Sequence, residues 1–306
     1  MRVLVVARYK ERGYAPFIAE QVASLQKTGV ECRMFPVRSK GAKAYLRHLP
    51  ALRKAIGEFS PDVIHAHYGL CGLLANLQRK VPVVTTYHGS DINEVPALRL
   101  SRVAMLLSAY NVFVSQRLID IAKPKRNYAL IPCGVNPEDY PQMGEAEARR
   151  QMGLSQDGTY ILFAGAFDEP VKNATLARSA ASMIAGAELL ELKGYSRGQV
   201  ACLLRAVDVL LMTSLSEGSP QVIKEALVCG CPIVSVDVGD VRERIRGIEG
   251  CVIAAAGTDA LAEALKDVIT FGRRTEGRAK IFADGLSDES IAARLKDIYS
   301  KVTQGI

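Results

Sequence analysis

Short apolar runs alternate with longer stretches of helical periodicity along the whole chain. This rhythm admits few folds, because a strand that feeds a crossover helix and returns parallel to its predecessor lets both elements bury their apolar faces. The runs predict strands over 3–7, 31–36, 62–66, 81–87, 111–115 and 128–132, and again over 159–164, 189–193, 207–213, 232–236 and 251–254. Helical patterns begin between them at Pro16, Ala44, Leu70, Ala97 and Gln116, and later span 145–152, 174–184, 197–206, 220–229, 258–270 and 288–302. With no tryptophan and 6% aromatic residues, the core has to come from Val, Ile, Leu and Ala, the residues of parallel strands covered on both faces. The pattern predicts an α/β chain of two Rossmann-like, doubly wound domains, 1–140 and 141–306, joined through a stretch punctuated by Pro137, Pro141 and Gly144. The last helix, 288–302, is expected to pack back on the first domain. Doubly wound sheets bind ligands at the carboxyl ends of their strands, so the expected binding place is a cleft faced by both domains.

The 306 residues carry a formal net charge of +7, unevenly distributed. Residues 1–140 hold 20 basic and 10 acidic side chains, and the remainder hold 19 and 22. Within the basic half, Arg33, Arg38, Lys40, Lys43, Arg47, Arg53 and Lys54 run without an acid before Glu58. Tyr45, Leu46, Leu49, Leu52 and Ile56 recur there at near-helical spacing, interrupted at Pro50. Two readings stay open for this element: an ordinary solvated basic face, or a surface suited to an anionic membrane or acidic partner. Nucleic acid is not an expected partner, since no binding module or aromatic interleaving accompanies the charge. The longest apolar runs fall far short of the ~18 to 20 residues of a membrane span. The N-terminal run breaks at Arg8 with no small-residue cleavage pattern after it, as expected of the first strand of a cytoplasmic protein. Seven cysteines, an odd number with no C-x-x-C pair, are expected to be reduced core thiols, and Cys229-Gly230-Cys231 finds no second pair at zinc-site spacing.

The segment richest in chemistry runs from Ser214 to Ala226, after a predicted strand and into a predicted helix. Gly218 and Ser219 permit close approach of a ligand to the backbone. Pro220 suits the first helical position, where its missing N–H is no loss, and leaves the N–H groups of Gln221 and Val222 pointing into the crevice. Such a helix terminus carries roughly half a positive charge and is a ready site for a diphosphate. Glu217 and Glu225 stand eight residues apart, slightly more than two turns, so both carboxylates are expected to face the same crevice at different depths.

This segment resembles the E-x7-E motif of the family 4 glycosyltransferases, retaining enzymes of the two-domain GT-B fold, and the resemblance covers nearly the whole chain. It implies that Glu225 binds the nucleotide ribose, that Glu217 lies by the transferred sugar, and that amides around Gly218, Ser219 and Gln221 hold the diphosphate. In Phe163 to Asn173, Lys172 matches the family's downstream lysine, whereas Ala166 stands where many members carry an arginine that clamps the donor. Lys172 would then act with the helix amides alone, or a further cation such as Arg8, Lys10 or Arg12 from the first domain would assist. Thr85 to Asp91 resembles the family's His-Gly-Ser-Asp loop, which implies that His88 reaches the donor sugar or leaving oxygen and that Asp91 sets the loop or touches acceptor. His65 and His67, at the end of the preceding strand, are expected to pack structurally or on the acceptor side. Gly13 would let the loop after the first strand approach the diphosphate. Phe-Asp-x-Pro-Val-Lys-Asn, the run from Leu192 to Arg197 and Glu-Gly-Ser-Pro-Gln resemble a narrower group, the teichuronic-acid-type bacterial glycosyltransferases of surface polysaccharide synthesis. The second domain is short for the family between Lys172 and Lys193, and Gly194 and Tyr195 would sit at the nucleobase end.

The resemblance implies transfer of a sugar from a nucleoside diphosphate, UDP ahead of GDP, to the hydroxyl of a carbohydrate or lipid-linked acceptor. No metal is expected, because Lys172 and the helix amides offset phosphate charge and no Asp-x-Asp motif is present. The expected location is cytoplasmic, at or near the inner membrane leaflet. Two other readings stand beside it: a non-hydrolysing sugar-nucleotide epimerase, and a non-catalytic membrane-associated binding protein in which Ala166 marks decay.

Overall fold

A computed structural model describes residues 1–11, 13–38 and 41–305. The chain forms two compact units, Met1–Gly134 with Asp288–Ile306, and Val135–Ser287. The first unit contains β1 (Arg2–Arg8), α1 (Pro16–Lys27), β2 (Glu31–Val37), α2 (Ala42–Leu46), α3 (Leu49–Phe59), β3 (Val63–His67), α4 (Gly69–Asn76), β4 (Val83–Tyr87), α5 (Ser90–Asn93), α6 (Val95–Leu107), β5 (Tyr110–Phe113), α7 (Gln116–Ala122) and β6 (Tyr128–Leu130). The second contains α8 (Glu145–Met152), β7 (Thr159–Phe163), α9 (Ala174–Ala181), β8 (Ala187–Glu191), α10 (Arg197–Ala206), β9 (Val209–Met212), α11 (Gln221–Cys229), β10 (Ile233–Ser235), α12 (Val241–Ile245), β11 (Cys251–Ile253), α13 (Thr258–Phe271) and α14 (Gly277–Ala283). The final helix, α15 (Asp288–Gln304), belongs to the first unit.

Both sheets are parallel, with orders β2-β1-β3-β4-β5-β6 and β11-β10-β9-β7-β8. Val3 to Ala7 of β1 are fully buried, and layers of helices cover both faces of the sheet. One layer is completed by α15, whose Ile291, Leu295, Ile298 and Tyr299 pack with Val3, Val5 and Ile18. In each sheet the chain first steps outward by one strand and then returns to the other side of its starting strand. That reversal falls between β1 and β3 in the first unit and between β7 and β9 in the second. Crevices for ligands form at such switch points.

Three details differ from the sequence reading. Residues 135–140 belong with the second unit, not the first. Tyr140 is fully buried in that unit's core, and the Arg278 guanidinium donates to the carbonyls of Pro137 and Tyr140. Pro220 is the N-cap of α11 and not its first residue. The basic stretch after Arg33 is not one surface helix: α2 and α3 are separate, with Pro50 in the first turn of α3, and Tyr45, Leu52 and Ile56 face the core. Arg33 lies over the Phe59 ring and Arg38 over Tyr9, at 4.4 and 4.5 Å, while Lys54 pairs with Glu58 at 3.8 Å. Lys40 lies outside the described residues. All seven cysteines are free thiols, and among the described residues no helix is long and apolar enough to cross a membrane.

Candidate functional site

In the second unit, the loops leaving β7 and β9 meet at the switch point. The Leu215 N–H donates to the Val171 carbonyl at 2.8 Å, and the Thr213 hydroxyl reaches the carbonyls of Lys172 and Asn173 at 2.9 and 3.0 Å. These bonds fix the two loops together. Across them Lys172 Nζ donates to Glu217 Oε1 at 2.7 Å, with side chains 19% and 16% exposed. Gly165 makes this possible: a Cβ there would stand 2.7 Å from Lys172 Cγ, so only glycine lets the lysine stem cross the strand end. Partly exposed pairs usually contribute only about 0–1 kcal/mol, so this one serves less to support the fold than to hold a cation in position.

The Glu217 loop is braced from the loop after β10. The Ser219 hydroxyl donates to Asp240 Oδ2 at 2.8 Å, and Arg244 Nε donates to the same oxygen at 3.0 Å. Burial pushes the Asp240 carboxyl upward, opposed by Lys224, Arg244 and the Ser219 hydrogen bond. Lys224 is itself fully buried on α11. Gly239 has φ +59°, and a Cβ on it would stand 2.8 Å from the Gly218 carbonyl oxygen and 3.1 Å from Glu217 Cβ. Gly239→Ala is therefore expected to lower stability by about 1–3 kcal/mol through strain and to weaken nucleotide binding by displacing the loop. Thermal melts and nucleotide titration of the variant check this, and a variant matching wild type in both would refute it. The sequence reading missed Gly239, Asp240 and Lys224; the available signal was a Gly-Asp pair just past a strand's carboxyl end and before a helix.

At its start, α11 opens with Gln221 and Val222, whose N–H groups lie in the first turn, ahead of the i→i−4 ladder. The two carboxylates have different partners. Glu225 Oε1 accepts from the Tyr140 hydroxyl at 2.9 Å, within a pocket that also brings Arg197 over the Tyr140 ring. Burial raises the Glu225 carboxyl, offset by the Tyr140 hydrogen bond, Arg197 and Lys224. Glu217 thus belongs with Lys172, and Glu225 with Tyr140. Tyr195 is 37% exposed, between Gly194 and the Ser196–Gln199 capping box that starts α10. Ala166 is buried, and next to it the Phe167 N–H donates to Glu191 Oε2 at 2.8 Å. A cavity of about 500 Å³ opens beside the site, lined by Asn173, Ser214, Leu215, Asp237 and Arg242 among others. Lys172 and Glu217 border it through their neighbours, not directly.

In the first unit, His88 follows β4 and is enclosed by rings. Its Nε2 lies 3.0 Å from His67 Nδ1, its Nδ1 lies 3.9 Å from Cys133 Sγ, and Phe17 and Tyr68 tilt against it at 4.8 and 4.7 Å. His67 stacks in turn on His65, which is held between Thr86 Oγ1 and the Tyr299 hydroxyl at 2.7 and 2.6 Å. Asp91 accepts from the N–H groups of Gly69, His88 and Gly89, setting the loop as expected. Burial raises its carboxyl to about 6 against the pull of those bonds. Gly13 pairs with Lys10 through reciprocal backbone bonds of 3.0 and 2.9 Å; Arg12 lies outside the described residues. A cavity of about 640 Å³ occupies this unit's switch point, with Arg8, Gly13, Tyr14, Tyr45, Tyr68 and Asp91 in its lining. Tyr68 has φ +73°, a strained value for a tyrosine, and it both packs on His88 and lines the cavity.

Two parallel doubly wound units of this kind make the GT-B fold, and known structures agree. Sucrose-phosphate synthase from Thermosynechococcus elongatus superposes with a TM-score of 0.87 at 16% identity, covering 100% of both chains. Anabaena Alr3699/HepE in complex with UDP does so at 0.72 and 16%, covering 100% of this chain and 99% of that one. The Glycosyltransferase Family 4 model matches residues 3–139 and the Glycosyl transferases group 1 model residues 153–270, so the chain belongs to the family 4, group 1 glycosyltransferases. Among relatives, TuaC of Bacillus subtilis (strain 168), named for teichuronic acid biosynthesis, is 27% identical over 265 residues, spanning 76% of this chain and 68% of TuaC. A D-inositol 3-phosphate glycosyltransferase of Kribbella flavida is 27% identical over 305 residues, spanning 79% and 72%.

Proposed function

We propose that this glycosyltransferase retains anomeric configuration and moves a sugar from a nucleoside diphosphate, UDP ahead of GDP, to a carbohydrate or lipid-linked acceptor. The setting is bacterial surface polysaccharide or glycolipid synthesis, in the cytoplasm at the inner membrane leaflet. One observation carries the donor reading: a lysine held at 2.7 Å by a carboxylate, beside the N-terminus of α11, at the switch point of a parallel sheet. As the bond from anomeric carbon to diphosphate oxygen breaks, negative charge grows on the leaving group and positive charge on the sugar. Lys172 and the amides of Gln221 and Val222 meet the first, and Glu217 meets the second. A metal is not required by this scheme. UDP and UDP-glucose bound to HepE support a nucleotide-sugar donor.

The acceptor reading rests on the first unit. Arg8 is half buried in the cavity lining and makes no hydrogen bond or ion pair among the described residues, while tyrosine rings offer faces to a sugar. That combination suits an acceptor carrying phosphate or carboxylate, and the D-inositol 3-phosphate acceptor in relatives' names agrees with it. A UDP-GlcNAc 2-epimerase from Methanocaldococcus jannaschii shares the fold at a TM-score of 0.65, so dependence on acceptor is what distinguishes transfer from epimerisation. Proton NMR of reactions with and without acceptor separates the two. Acceptor-dependent product with the donor's anomeric configuration is expected; acceptor-independent interconversion of the donor would establish the epimerase, and inverted product would overturn retention.

A further inference from the structure

The outward side of α6 departs from the rule that solvent-facing helix surfaces are polar. Val95, Val103, Leu106 and Leu107 are 63%, 44%, 66% and 36% exposed. At about 100° per residue they share one arc with Arg99 and Arg102, also exposed, and no acid occurs in the helix. Arg102 leans on the Ile121 carbonyl at 3.4 Å and stays at the surface. The opposite arc, Ser101, Ala104 and Met105, is buried against the unit.

We infer that this face of α6 docks on an anionic lipid bilayer. Apolar side chains interleaved with arginines are what an interfacial helix presents, the first entering the acyl boundary and the second meeting phosphate headgroups. A second copy of the chain fits less well. The arc measures roughly 20 by 10 Å, far below the ~800 Å² per partner of a stable interface, and a twofold contact centred on it would set arginine against arginine. The helix also links this face to the acceptor cavity, since Glu94, Ala97 and Ser101, on or next to its inner side, line that cavity. An acceptor carried in the bilayer would therefore stand about one helix diameter, 10–12 Å, from Arg8's cavity. The inference rests on the lipid-linked acceptor proposed above and names the surface that serves it.

Sedimentation of the full chain with vesicles of phosphatidylcholine alone, or of phosphatidylcholine with phosphatidylglycerol, tests it. The wild type is expected to bind the anionic vesicles only. Arg99→Ser with Arg102→Ser should weaken partitioning about thirtyfold, and Val103→Ser with Leu106→Ser should abolish it, with circular dichroism melts unchanged. Equal binding to neutral vesicles, or undiminished binding by both variants, would overturn the proposal. So would a wild-type dimer in gel filtration that Leu106→Glu dissociates, with no vesicle binding by either. Sedimentation needs no donor, so a protein inactive in sugar transfer would overturn the transfer reading and leave this surface to stand on the vesicle result.

Discussion

Replacing Lys172 by alanine is expected to lower turnover in sugar transfer by about 10²–10³, the usual effect of deleting one preorganised group that meets transition-state charge. The geometry makes the loss severe. Lys172 is the cation on the Glu217 side of the switch point, and its removal leaves the Glu217 carboxylate facing the place where phosphate should enter. Ala166 supplies no second clamp from the same strand end. Glu217→Gln should also lose turnover, because the amide oxygen can still accept from Lys172 Nζ but no longer supplies the charge that meets the sugar. Stability should hardly change in either variant, since the pair is partly solvated. Steady-state kinetics alongside thermal melts checks the prediction; a fall in activity that tracks a fall in melting temperature would show the pair to be structural.

Acid should unfold the first unit well before carboxylate titration alone would do so. Burial lowers the imidazole of His65 to about 3, and burial together with His65 and His88 holds His67 well below the ordinary value of 6.5. A histidine lowered in the folded state binds fewer protons there than in the unfolded chain between pH 6.5 and about 3. Its contribution is complete above pH 6.5 and is lost as pH falls through that window. At about 1.4 kcal/mol per unit, His65 alone contributes on the order of 5 kcal/mol, comparable to the whole stability of many domains. Asp91 acts in the opposite sense: raised from 3.8 to about 6, it makes the folded state hold the extra proton in that interval, so it stabilises as pH falls there. Two histidines against one aspartate leave a net loss on acidification. Urea midpoints measured from pH 7 to pH 4 should therefore fall, and His65→Gln, which keeps hydrogen-bonding capacity without titrating, should flatten the profile. A wild-type profile already flat over that range would contradict this account.

Much of the architecture was legible because it depends on local pattern. The apolar run at Val3 to Ala7 read as the first strand, and the helical pattern over 197–206 coincides with α10, which the structure shows opened by the Ser196–Gln199 capping box. Glu217 was legible beside Gly218 after a strand and Lys172 through the family resemblance, and the fold brings them to 2.7 Å. What sequence could not show depends on partners distant along the chain. Tyr140 lies 85 residues from the Glu225 it bonds, and Gly239 matters only because Gly218 and Glu217 rest against it. The basic stretch after Arg33 drew attention by composition, yet Phe59 and Tyr9 lie beneath two of its arginines. The less charged α6 carries the exposed apolar arc, visible only once its inner face is packed.

Calorimetric titration of UDP into the wild type and Lys172→Ala, with uridine as the control ligand, bears most directly on the claim that the Glu217 loop and Lys172 grip a donor diphosphate. The account predicts measurable UDP affinity that the substitution weakens tenfold or more, by about 1.4 kcal/mol or above, and weak uridine binding that it leaves alone. Equal UDP affinity in the two proteins, or no UDP binding by the wild type, would contradict it.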